Sequence, residues 1–135
     1  LENLEEIISK RKKIYDSYLE EFSYLSKYGI KIQNLKNVTK SNYSTFYLLT
    51  NNIDERNELI KFLKENGVTS QFHYVNLHDS PMGKKLTRSK KLKISESITN
   101  RVVRLPLYPD LKQWEVDKIT ALVKNFFQIK YENIC

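Results

Sequence analysis

Apolar residues recur at three- and four-residue steps through the start of the chain: Leu1, Leu4, Ile7 and Ile8, Ile14 and Tyr15, Tyr18 and Leu19, then Phe22. That spacing lays one apolar stripe along a long helix over residues 1–28, with Glu, Lys and Arg on the opposite face. Gly29 stands where such a helix is expected to stop. No capping residue precedes Leu1, so the start of the helix is expected to lie outside this sequence. The stripe is longer than a small core can cover, and part of it is expected to pack on something else.

Further on the periodicity changes. Residues 30–42 are polar and irregular. Residues 43–50 (YSTFYLLT) are rich in aromatic, apolar and threonine side chains, which predicts a buried strand. Asn52 with Glu55 three residues later predicts a helix start. Leu59, Ile60, Phe62 and Leu63 would face inward, and Gly67 would stop the helix. Residues 68–75 (VTSQFHYV) alternate and read as a second strand. A strand–helix–strand unit implies that these two strands run parallel in one sheet. A turn is expected at Ser80-Pro81 and a short helix over 94–100. Residues 102–107 (VVRLPL) form a third strand candidate, closed by Pro106 and Pro109. Asp110 is expected to help cap a last helix carrying Trp114, Ile119, Leu122, Val123, Phe126 and Phe127 along one side.

Three strand candidates separated by helices give an α+β class, a two-layer α/β arrangement. The prediction is a small three-stranded sheet, mixed or mainly antiparallel, with helices on one face and the long helix leading in. A length of 135 residues fits one domain.

Composition narrows the partners. The net charge of +7 favours anionic ones without choosing among nucleic acid, acidic membrane and phosphorylated small molecule. One cysteine, Cys135, offers no disulfide framework and fits a reducing compartment. No apolar run approaches the roughly 18 residues needed to span a bilayer, and no signal-peptide pattern is present. The expectation is a cytoplasmic protein without membrane contact.

No complete catalytic constellation is legible. Three scattered glycines make no phosphate loop, and two histidines five residues apart do not define a metal site. The most informative stretch is Phe72-His73-Tyr74-Val75-Asn76-Leu77-His78, which sets two imidazoles and a phenol at the exit of a strand. Strand alternation would turn His73 and Tyr74 to opposite faces, so one of them is equally readable as a hydrogen-bonded core residue. Lys84, Lys85, Arg88, Lys90, Lys91 and Lys93 form a basic run without an acid. It reads as a solvated loop or as a polyanion site, but no aromatic residues interleave with it as a nucleic-acid surface requires.

Taken in order, the long helix with Arg11-Lys12-Lys13, the helix end Leu63-Lys64-Glu65-Asn66-Gly67-Val68, the His73 to His78 stretch, Ser80-Pro81-Met82-Gly83 and Arg101-Val102-Val103-Arg104-Leu105-Pro106-Leu107-Tyr108-Pro109-Asp110-Leu111 resemble the C-terminal part of the DegT/DnrJ/EryC1/StrS aminotransferases, fold-type-I enzymes. The phrasing is most similar to the branch that makes dTDP-4-amino-4,6-dideoxygalactose. The sequence departs from the family at Asn76, where proline is frequent, and at Lys112, where threonine is frequent.

The resemblance implies a C-terminal small domain of a transaminase that uses pyridoxal phosphate, with glutamate as amino donor and a keto sugar nucleotide as acceptor. It implies that the cofactor lysine and its acidic partner lie in a large N-terminal domain, so that this segment alone binds no cofactor and is inactive. It implies a homodimer, a first helix joining the two domains, and contacts from His73, Tyr74 and His78 to the sugar nucleotide. A small basic nucleic-acid-binding domain and a protein-interaction module docking through the first helix are the competing expectations.

Overall fold

The computed structural model describes residues 3–35, 41–72, 80–86 and 93–132. In chain order these form α1 (Asn3–Phe22), a 3-10 helix (Ser23–Tyr28), β1 (Lys31–Ile32), β2 (Phe46–Leu49), α2 (Ile53–Glu65), α3 (Pro81–Leu86), α4 (Lys93–Thr99), β3 (Val102–Leu105) and α5 (Gln113–Glu132). The sheet order is β1-β2-β3, antiparallel throughout. The class is α+β, as the pattern of elements implied.

The core forms where β2 and β3 turn alternate residues to one side. Phe46, Leu48, Val103 and Leu105 are buried there against α1, α2 and α5. Phe46 is ringed by Tyr15, Tyr18 and Phe22 of α1, at centroid distances of 5.2, 5.1 and 6.1 Å. Leu59 and Leu63 of α2 and Val116, Ile119, Val123 and Phe127 of α5 complete it. Only the second half of α1 enters this core. Ile14, Tyr15, Tyr18 and Phe22 are buried, whereas Leu4 is 52% exposed. The apolar stripe does run past what the domain covers.

Local chemistry accounts for the element ends. At Ser23 the first helix tightens to 3-10 and stops at Gly29, whose φ of 80° is left-handed. The Asn52 side chain accepts from the Glu55 N–H, as the spacing predicted, and α2 closes with Gly67 at φ 78° and a bond from Val68 N–H to the Leu63 carbonyl. Strand β2 begins later than expected, because Tyr43 adopts φ 48° and the Ser44 N–H bonds the Asn42 side chain. Pro106 lacks a donor for a further ladder bond, and β3 ends before it.

Five expectations change. The two-residue β1 lies in the stretch read as irregular. The Ser80-Pro81 turn is the start of α3, where the Ser80 hydroxyl accepts from the Gly83 N–H. Trp114 is 66% exposed instead of inward, and the bond at the α5 start is from the Lys112 N–H to Glu115 rather than to Asp110. The strand expected over 68–75 reduces, among the described residues, to a bridge between Gln71 and Arg104, antiparallel to β3. Gln71 and β2 therefore run in the same direction, as a strand–helix–strand unit requires, but β3 is inserted between them.

Candidate functional site

His73, Tyr74 and His78 lie outside the described residues. The structure does define both stems of their segment. Arg56 of α2 aims its guanidinium at the Phe72 ring, 5.3 Å from the centroid, and donates to the Thr99 carbonyl at the end of α4. Burial lowers the pKa of Arg56. One cation thus ties Phe72 and the end of α4 to α2. Of the basic run, Lys84 and Lys85 fall within α3 and Lys93 opens α4; Lys85 and Lys93 are exposed, and Arg88, Lys90 and Lys91 lie outside the described residues.

The sheet face turned away from the three large helices is only partly covered. Tyr47 and Arg104 are direct cross-strand partners there, because each alternates with core-facing neighbours. Gln71 flanks Arg104 on the other side, exchanging both backbone bonds with it at 3.3 and 2.8 Å. Two hollows meet at Arg104. One, of about 350 Å³, is lined by Thr45, Tyr47, Ile98, Thr99, Val102 and Arg104. The other, of about 190 Å³, includes Ser44, Thr69, Gln71 and Pro106. A third hollow of about 280 Å³, between Tyr108, Leu111, Trp114 and Lys118, lies at the start of α5.

These residues were not singled out in the sequence. Two signals point to them: an arginine inside an otherwise apolar strand, and a tyrosine between Phe46 and Leu48, which the alternation sends to the core.

Lys10, Lys12, Lys27 and Lys124 have raised pKa values, each first through a hydrogen bond, to Glu6, Asp16, Glu132 and Glu21 in turn. Among the described residues no three His, Cys, Asp or Glu side chains converge on a metal position, and no helix is long and apolar enough to cross a membrane.

Comparison with known proteins gives the fold a family. A protein from Escherichia coli named dTDP-4-amino-4,6-dideoxy-D-glucose transaminase is 33% identical over 131 residues, covering 91% of this chain and 34% of that protein. The aminotransferase TlmJ from Streptoalloteichus hindustanus has the same fold, with a TM-score of 0.86 at 21% identity over 96% of this chain and 34% of that one. NtdA from Bacillus subtilis, solved with bound cofactor PMP, matches with a TM-score of 0.79 at 21% identity over 90% of this chain and 28% of that one. The chain spans about a third of the length of the curated relatives it matches. The family model for DegT/DnrJ/EryC1/StrS aminotransferases matches residues 1–124, and the chain belongs to that family.

Proposed function

We propose that this chain is the C-terminal small domain of a pyridoxal-phosphate-dependent sugar-nucleotide transaminase. The parent enzyme moves an amino group from glutamate to a keto sugar nucleotide such as dTDP-4-keto-6-deoxyglucose. The observation that carries the reading is the E. coli match, which takes in 91% of this chain but only 34% of the transaminase. The cofactor supplies the amino-transfer chemistry when bound in the large domain. This domain closes the site from one side, and His73, Tyr74 and His78 reach the sugar nucleotide. The overhanging half of α1, with Leu4 exposed, packs on the large domain, and two copies assemble as a homodimer.

The segment alone is inactive in this reading. Pyridoxal phosphate added to the isolated chain is expected to give no Schiff-base absorbance. Joined to the large domain of its parent enzyme, the same chain is expected to support turnover of glutamate and dTDP-4-keto-6-deoxyglucose. A Schiff base on the isolated chain, or a parent enzyme that aminates no keto sugar nucleotide, would overturn the proposal.

A further inference from the structure

We infer that the uncovered sheet face around Arg104 is a binding site for a phosphate ester, with the Arg104 guanidinium as the anion clamp and Tyr47 as the wall for the attached ring. The inference rests on the transaminase reading only for the identity of the ester, which would be the nucleotide half of the sugar nucleotide.

The placement is what singles out Arg104. It stands between two hollows, and among the described residues no carboxylate lines either one. Among the described residues that line the two hollows, its polar neighbours are neutral. Thr45 and Tyr47 offer hydroxyls on one side, Ser44, Thr69 and the Gln71 amide on the other. That set suits a group with several acceptor oxygens, and a guanidinium fork matches phosphate bidentately. The larger hollow, about 350 Å³, falls in the size range of small-molecule sites, and Ile98, Val102 and the Tyr47 ring give it an apolar wall.

The backbone that carries the clamp is fixed on both sides. Arg104 is fixed by the ladder to Tyr47 on one side and by two backbone bonds to Gln71 on the other. The Thr99 end of the hollow is held by the bond from Arg56.

The test is an amide-resolved NMR titration of this 135-residue chain with dTDP, with inorganic phosphate and with L-glutamate as separate probes. Saturable shifts are expected at Tyr47, Gln71 and Arg104 with dTDP, and weaker ones at the same amides with phosphate. Arg104→Gln is expected to weaken dTDP roughly tenfold to a hundredfold, the loss of a charged hydrogen-bonding partner. Arg104→Lys keeps the charge without the fork and should fall between; it also serves if Arg104→Gln loses the native spectrum. Lys85→Gln, on exposed α3, should leave the affinity unchanged.

Absence of dTDP shifts at these amides, or undiminished affinity in both Arg104 variants, overturns the site. Shifts with glutamate alone overturn it in favour of a carboxylate site. The transaminase reading fails on different measurements, the Schiff-base absorbance and turnover by the parent enzyme, so the two failures are distinguishable.

Discussion

Tyr131, near the end of α5, donates its phenolic hydrogen to the carboxylate of Glu55, 76 residues earlier at the start of α2. Glu55 is 1% exposed. Its other oxygen accepts from the Asn51 N–H at 2.7 Å, and the Asn51 amide donates to both the Tyr131 hydroxyl and the Tyr28 carbonyl, each at 2.9 Å. A buried carboxylate is tolerated only when its oxygens are met. Here the partners come from the two ends of the chain's core, so the cost of burying the acid is offset only after α5 docks on α2 and on the 3-10 helix. Tyr131→Phe leaves one of those oxygens without its donor. The expected loss is about 1–3 kcal/mol of unfolding free energy by urea denaturation. An unchanged midpoint would show that Glu55 is satisfied in some other way.

Gly29 and Gly67 both sit at left-handed φ, yet they differ in surroundings. A Cβ on Gly29 would lie 2.5 Å from the Asn51 side-chain oxygen, while one on Gly67 meets only Lys118 Nζ at 3.6 Å. Gly67→Ala should therefore cost the backbone strain alone, about 1–2 kcal/mol. Gly29→Ala adds displacement of Asn51 and the loss of its bonds, on the order of a further 1 kcal/mol or more. Equal losses in thermal or chemical denaturation would refute the distinction.

Helix α5 begins with half of a capping box. The Glu115 carboxylate reaches back to the Lys112 N–H at 2.8 Å, but Lys112 has no side-chain acceptor to return toward the helix. Lys112→Thr supplies one. A gain of about 0.5–1 kcal/mol is expected, readable as a raised urea midpoint. A neutral or destabilising result would mean that the first turn is already fully satisfied.

Alkaline pH should loosen the core before moderate acid does. Tyr18, Tyr15 and Tyr24 have hydroxyls raised above the usual 10.0, first by burial. Tyr131 is raised by burial and then by its bond to Glu55. Raised values mean that the unfolded chain ionises first. Their contribution is complete below the unfolded value and declines as pH rises through and above it. Denaturation midpoints should fall from about pH 10 upward, in step with tyrosinate absorbance. Tyr18→Phe should flatten part of that slope. At the acid end, Glu132 is lowered to about 2 by Tyr28 and Lys27; its contribution is present above about 4.5 and is lost as pH falls toward 2.

How much of this was legible beforehand depends on the range of each interaction. Asn52 with Glu55, Gly29 and Gly67 are local devices, decided within four residues of backbone, and they stand where the sequence put them. The stripes on α1, α2 and α5 are likewise periodic signals. The candidate site was less legible: His73, Tyr74 and His78 were named from residue type and a family resemblance, whereas Arg104 and Tyr47 matter through being opposite each other on a ladder, which neither segment states alone.

The sequence by itself therefore determined the elements, most of their ends and the α+β class, because helix periodicity, capping and proline act on the chain locally. The tertiary structure alone decided three things. It inserted β3 between β2 and Gln71, turning an expected parallel neighbour into a same-direction bridge residue one place removed. It left Trp114 exposed while burying Glu55. It also left one sheet face partly open around Arg104. Each follows from which surfaces meet across the core, and the free energy of burying apolar area depends on that meeting and not on the order of residues in any one segment.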